Sequence, residues 1–332
     1  MRHVQSAIIL SSAIFLRSPA EGLQQTGASQ SSGTRRTRHA KPPLQPAAWA
    51  GQVPFGPSDA SEPLSMNGRF EAWPALNDAT LALDAGVSKR SRLNMKDTTL
   101  SSLFAGDTLQ AKLSRALASR QAVDRKEFFE SWEFFSRCRS SFTTTSSKQP
   151  QLLVDVAGGH GMLGLLVAVF QWKRFDKVVI ADTKQPKAFE KVLDAGLEVA
   201  PWIASRLKYV SGPDADFMSA STGDSSGSSP SRILSPGCAV ACVHGCNALT
   251  DSVLLEAARA RAESIVVMPC CYGGVAKAAP PALRRSLGVA LAADVERTYQ
   301  LEREYGYDVG WRALPSMITP LNRILTARRK KR

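Results

Sequence analysis

No apolar run in this 332-residue chain is long enough to cross a membrane as a helix. The longest nearly apolar stretch, Ala7 to Leu16, falls well short of the ~20 residues a span needs. Cysteine is scarce. Six occur, and five of them (Cys238, Cys242, Cys246, Cys270 and Cys271) crowd into one stretch, with Cys138 apart. That is not the even spacing of a secreted disulfide framework, and it fits a reduced compartment. No C-x-x-C pair is present, and C-x-H-x-C across Cys242, His244 and Cys246 is not a usual structural-zinc pattern, so no metal is expected. A Cys270–Cys271 bridge would need a strained turn. With 44% apolar and 21% charged residues, the chain is neither wholly disordered nor collagen-like.

Acidic residues are nearly missing from one end. Residues 1–45 hold Arg2, Arg17, Arg35, Arg36, Arg38 and Lys41 against Glu21 alone, and the last five residues, Arg328 to Arg332, are all basic. Of the formal charge of +13, five fall at each end and three between. The high pI therefore reflects two basic ends rather than a basic globule. The end run reads as a solvated terminus or as a contact for RNA phosphates or anionic lipid. The start has a short basic region, an apolar stretch of signal-peptide length, then a Ser/Thr/Arg-rich segment from Thr26 to Lys41. This resembles the two-part leader of proteins imported into complex algal plastids. A mitochondrial presequence or a cytoplasmic protein is the alternative. Residues 42–75, rich in Pro, Gly and Ala, read as linker, giving a leader over 1–75.

Residues 76–145 read as a helical segment. Its run Glu127 to Phe135 packs aromatics on adjoining helix faces, as a core-covering helix or as a wall over a ligand. From Leu152 the signal changes to alternation. Strands are predicted at Leu152–Ala157, Lys177–Asp182, Leu207–Val210, Ala239–His244 and Ser264–Met268, with helices between them at Met162–Trp172, Phe189–Ser205 and Thr250–Ala262. That order gives α/β with a doubly wound, mostly parallel sheet. A Ser/Gly loop from Ser219 to Ser235 should be mobile and removable. After a helix over Pro281–Tyr305, two further strands, Gly306–Leu314 and Asn322–Ala327, are too close in sequence for a helical crossover and should pair antiparallel. This layout over 146–328, with a basic tail at 329–332, resembles the Rossmann-like domain of class I S-adenosylmethionine (SAM)-dependent methyltransferases.

The stretch Asp155-Val156-Ala157-Gly158-Gly159-His160-Gly161-Met162-Leu163-Gly164 leaves a strand and opens a helix. Gly159, Gly161 and Gly164 fit G-x-G-x-x-G, which lets backbone approach a ligand and pack tightly. Asp182 ends the next strand, where a carboxylate can accept from ribose hydroxyls. Two ligands suit this frame, a nicotinamide dinucleotide, which would make the protein an oxidoreductase, or SAM. Asp155 decides for SAM, because an acid there repels a pyrophosphate and favours an ammonium. The stretch resembles methyltransferase motif I, with Ala157 where glycine is usual and an added methyl expected to be tolerated. The cofactor-binding set is then Asp155, Ala157, Gly158, Gly159, His160, Gly161, Asp182 and His244.

Two more loops should border the same cleft. One is His244-Gly245-Cys246-Asn247-Ala248-Leu249-Thr250-Asp251, where Thr250 can cap the helix and Asp251 suits its positive end. The other is Pro269-Cys270-Cys271-Tyr272. An H-x-C-x-x-L-T-D loop followed by P-C-C-Y resembles the methyltransferase group that includes tRNA acceptor-stem 2′-O-methyltransferases. The resemblance spans roughly residues 120–328 and includes the closing Gly306–Val309 and Ile318–Arg323 segments. It implies SAM-dependent methyl transfer with RNA favoured as acceptor. The chain shows no zinc-finger segment of the kind those tRNA enzymes carry. His244 is the candidate general base, since imidazole titrates near neutrality, and Asp251 is the second candidate. A strand-end histidine that only braces the loop, or a SAM- and RNA-binding protein without catalysis, are the competing readings.

Overall fold

The structure, a computed structural model, describes residues 69–144, 151–217, 233–272 and 279–331, all within the unit Pro54–Arg332. The leader and most of the Ser219–Ser235 loop lie outside these residues. No helix among the described residues is long and apolar enough to cross a membrane.

Four helices come first: α1 (Ala79–Asp84), α2 (Thr98–Leu103), α3 (Leu109–Ser119) and α4 (Arg125–Cys138). The side chains of Asp78, Asp97 and Thr108 accept from first-turn N–H groups of α1, α2 and α3, and so fix where each begins. The helical layer starts earlier than residue 76. Phe70 and Trp73 are buried, and Trp73 packs against Phe104, Phe128, Phe129 and Trp132. The backbone N–H groups of Glu71 and Ala72 donate to the buried Glu133 of α4. The boundary expected near 75 therefore moves back to the neighbourhood of Arg69, because a linker buries no tryptophan. The α4 aromatics are core.

The sheet has seven strands: β1 (Leu152–Val156), β2 (Lys177–Asp182), β3 (Leu207–Ser211), β4 (Ala239–Val243), β5 (Ser264–Met268), β6 (Tyr307–Ala313) and β7 (Arg323–Arg329). Their order is β3-β2-β1-β4-β5-β7-β6. The first five run parallel, while β7 pairs antiparallel with β5 and β6 with β7. The central strands are apolar runs because both faces are covered. Leu153 joins the core beneath the early helices, whereas Val154 and Val156 join a second core on the other face. Between strands lie α5 (Met162–Phe170), α6 (Ala188–Val199, followed by a 3-10 turn at Pro201–Ser205), α7 (Ala248–Arg259) and α8 (Pro281–Arg303, kinked at Gly288).

Two details differ from expectation. α7 begins at Ala248, so Thr250 lies inside it and donates its hydroxyl to the Gly245 carbonyl instead of capping. β7 runs to Arg329, whose N–H donates to the Glu263 carbonyl, so Arg328 and Arg329 belong to the sheet and not to a loose tail.

Candidate functional site

The chain reverses between β1 and β4, and the loops that leave those strands part to form a cleft. Ligands in such sheets bind there, outside the carboxyl ends of the strands. The cleft measures about 650 Å³, and Asp155, Gly159, His160, His244, Cys246 and Cys270 are among the residues that line it. A second cavity of about 670 Å³ opens near the start of β1, between Phe135, Arg139, Gln151 and Phe170. It gathers none of the sequence-predicted site residues.

The glycine turn is built on one side chain. A Cβ placed on Gly158, Gly161 or Gly164 would sit 2.6 Å from an atom of Ile180 in β2. These glycines therefore serve the packing of turn and helix on the sheet. Gly159 differs: its φ is +51°, and a Cβ there would meet nothing within 4 Å, so its bare backbone faces the open cleft. Ala157 takes φ +54°, which costs a residue with a Cβ about 1–2 kcal/mol. The extra methyl therefore carries a backbone cost. Gly161 begins α5 in the left-handed region and does not line the cleft.

The acids of the turn are partly engaged. Asp155 is 1% exposed, and its Oδ2 accepts the Gly164 N–H at 2.9 Å. Burial, helped by the charge of Asp182, pushes its carboxyl up to about 7. Asp182 Oδ2 accepts the Gly159 N–H at 2.9 Å, and Oδ1 accepts from the Thr183 hydroxyl. Asp182, like Gly161, is not among the residues that line the cleft, and both its oxygens are engaged in bracing the turn. Tyr209 completes the brace by donating its hydroxyl to the Gly159 carbonyl.

Both histidines are held by α4, which sequence reasoning missed. His160 Nδ1 accepts the Met162 N–H, and its Nε2 stands 3.2 Å from Glu127 Oε2. The hydrogen bond from His160 holds the Glu127 carboxyl down at about 2, against the opposing effect of burial. His244, in the left-handed region at φ +68°, stands with Nε2 2.9 Å from Oε2 of Glu130, which is 1% exposed and paired with Lys126. Burial opposes ionisation of Glu130, but His244 and Lys126 outweigh it and hold its carboxyl below the ordinary value. A sequence signal for this existed. Glu127, Glu130 and Glu133 recur every third residue of an otherwise aromatic helix, and a buried glutamate requires a partner.

Asp251 is not at the cleft. Its Oδ1 accepts from Arg297 Nε at 2.7 Å. Arg297 also donates to Asp294, which is fully buried and accepts from Arg323 Nε and the Tyr272 hydroxyl, each at 2.8 Å. This network joins α7, α8, β7 and the loop after β5. It makes Asp251 an anchor, and the candidate catalytic role assigned to it is withdrawn on that geometry. At the cleft mouth, Cys246 Sγ lies 2.9 Å from Cys270 Sγ, which is 4.0 Å from Cys271 Sγ. Burial raises the Cys270 thiol above its ordinary value, as do its two neighbours.

Residues 128–278 match the sequence profile of a family described as a methyltransferase domain. No curated protein sequence matches. Solved structures with some likeness include an O-methyltransferase family protein from Burkholderia thailandensis, at 14% identity and a TM-score of 0.35, covering 72% of this chain and 64% of that one. This chain thus spans less than two thirds of that protein's length. The fibrillarin pre-rRNA processing protein of Methanococcus jannaschii is 12% identical, with a TM-score of 0.36 and coverage of 60% and 75%. Human N-acetylserotonin methyltransferase, solved with SAM, is 13% identical, with a TM-score of 0.32 and coverage of 82% and 69%. Such distant likeness adds nothing to what the sheet itself shows. The strand order with its antiparallel end, the glycine turn after β1 and the profile match place residues 128–278 in the methyltransferase-domain family, on the class I fold.

Proposed function

We propose that the chain binds SAM in the cleft after β1 and β4 and transfers its methyl group to an RNA acceptor. The observation that carries the cofactor reading is the pair formed by Gly159 and Asp155. Gly159 puts no side chain in the cleft, which lets a ligand come close to the turn, and Asp155 lines the same cleft as a buried acid whose ionisation is opposed until a cation comes near. The SAM ammonium suits that acid, whereas a dinucleotide pyrophosphate would be repelled. Bound SAM supplies an electrophilic methyl on a sulfonium.

The chain's own residues do the rest. Gly158 and Gly159 hold the turn open, and Asp182 meets the ribose hydroxyls at the end of β2 once its bond to Gly159 is shared. His244 accepts the acceptor's proton. Its Nε2 faces Glu130, which fixes the ring and leaves the other nitrogen as the acceptor, the arrangement of a base oriented by a third group. RNA is supported by the resemblance of the two cleft loops to those of tRNA acceptor-stem enzymes. The basic end gives it no support. Arg328 pairs with Ser264 at the start of β5, while the cleft lies at the other end of that strand.

The test is methyl transfer from labelled SAM by the full chain to separated RNA, protein and small-molecule fractions. Label in RNA supports the proposal. Label only in another fraction removes RNA, and no SAM binding by calorimetry removes the cofactor reading.

A further inference from the structure

Three thiols converge where the loops after β4 and β5 meet, and neither the fold nor the cofactor reading uses them. The ligand atoms of Cys246, Cys270 and Cys271 all lie within 4.8 Å of one another, the one group of its kind among the described residues. Zinc thiolate bonds of ~2.3 Å at tetrahedral angles put sulfurs about 3.8 Å apart. The separations here, 2.9 Å and 4.0 Å, bracket that value, so the three sulfurs are close enough to share one ion. Cys246 is exposed and the other two half-buried, which leaves an entry path from the cleft.

The supports of the two loops do not depend on the thiols. Thr250 holds the Gly245 carbonyl on one side, and Tyr272 is tied to Asp294 on the other. The sulfurs are therefore presented by a frame already fixed, as a metal site requires. A disulfide would use two of the three sulfurs and leave the third idle.

We propose that Cys246, Cys270 and Cys271 bind one zinc ion at the mouth of the cleft, through three thiolates, with the fourth position turned to the cleft. The three thiols release their protons as the ion binds, because only thiolate ligates. Three protein ligands and an open position is the pattern of zinc sites that take part in chemistry rather than folding. The sequence spacing hides the site, because the ligands come from two loops that the β4–β5 pairing brings side by side.

The test uses the full chain, kept reduced with a phosphine, stripped with a chelator and reloaded with zinc chloride. One equivalent of zinc should resist a chromophoric chelator. Cobalt in its place should give the intense visible bands of a tetrahedral thiolate site. Loss of outer-shell partners weakens metal sites about 10–100-fold, so Cys246→Ser, Cys270→Ser and Cys271→Ser should each weaken zinc at least that much. Circular dichroism of the triple variant should match the parent. Two results overturn the proposal: a folded parent chain that keeps no zinc, or a triple variant that keeps as much as the parent. Zinc retention is read without SAM, so its failure leaves the cofactor reading standing, and failure of SAM binding leaves the zinc site standing.

Discussion

The two halves of the cleft are built by different means. The side formed after β1 and β2 is a matter of backbone: glycines pressed on Ile180, a left-handed turn, and acids that hold N–H groups. The side formed after β4 and β5 is a matter of side chains: His244 gripped by Glu130, Asp294 shared among Arg297, Arg323 and Tyr272, and a knot of thiols. Crowding against Ile180 restricts Gly158, Gly161 and Gly164 to glycine and so leaves a mark in the sequence. Ion pairs between distant segments leave at most the trace of one member, as the spacing of Glu127, Glu130 and Glu133 does, because any acid and any base can meet.

Four substitutions and one titration set the two halves against each other. The largest effect belongs to His244→Ala, which should lower turnover on whichever fraction takes the label by about 10²–10⁴ while SAM affinity holds. If SAM affinity and thermal stability fall together and turnover of the bound enzyme does not, His244 is only a brace. Asp294→Ala strands two arginines, one of them buried, and should cost about 3–5 kcal/mol by denaturant unfolding. A loss under 1 kcal/mol would show that the network does not hold the β5 side.

On the backbone side, Asp182→Ala should weaken SAM by about 1.5–3 kcal/mol for each charge-assisted bond lost. Unchanged calorimetric affinity in a folded variant would dismiss the ribose contact. Asp155 gives a pH dependence. Its carboxyl is raised to about 7 in the folded chain, so the ligand-free fold is favoured at low pH and loses stability as pH rises from the ordinary carboxylate range to about 7. SAM affinity should move the opposite way, strengthening by up to about tenfold per pH unit over that window, because the ammonium binds the ionised form. A flat affinity profile would separate Asp155 from the cofactor. The smallest effect is Ala157→Gly, which relieves the left-handed alanine and should raise stability by about 1 kcal/mol.

Strand–helix alternation made the sheet legible, because buried parallel strands read as apolar runs such as Ala239–Val243 and Ile265–Met268. The closing pair was legible from the shortness of its connection. In the glycine turn, Gly159 and Asp155 reached the cleft as expected, while Gly161 proved to be packing. Asp251 lies in the first turn of α7 as expected, but nothing local could show that its partner, Arg297, lies on another helix. Glu127 and Glu130 were passed over because the phenylalanines around them dominate the pattern of α4.

The position of α4 in the chain bears on how the protein is made. Glu130 is synthesised well before His244, and Glu127 well before His160, so α4 emerges carrying acids destined for the interior before their partners exist. Lys126 can shield Glu130 meanwhile, one turn away on the same helix. Contacts across long stretches of chain form late, since loop closure precedes any reward. The aromatic face of α4 can pack on Trp73 and on Phe170 of α5 early, but Glu130 must wait for its partner until β4 has been laid beside β1. Closure of the His244–Glu130 pair is then the event that completes the cleft, and a chain halted before residue 244 leaves Glu130 with Lys126 alone.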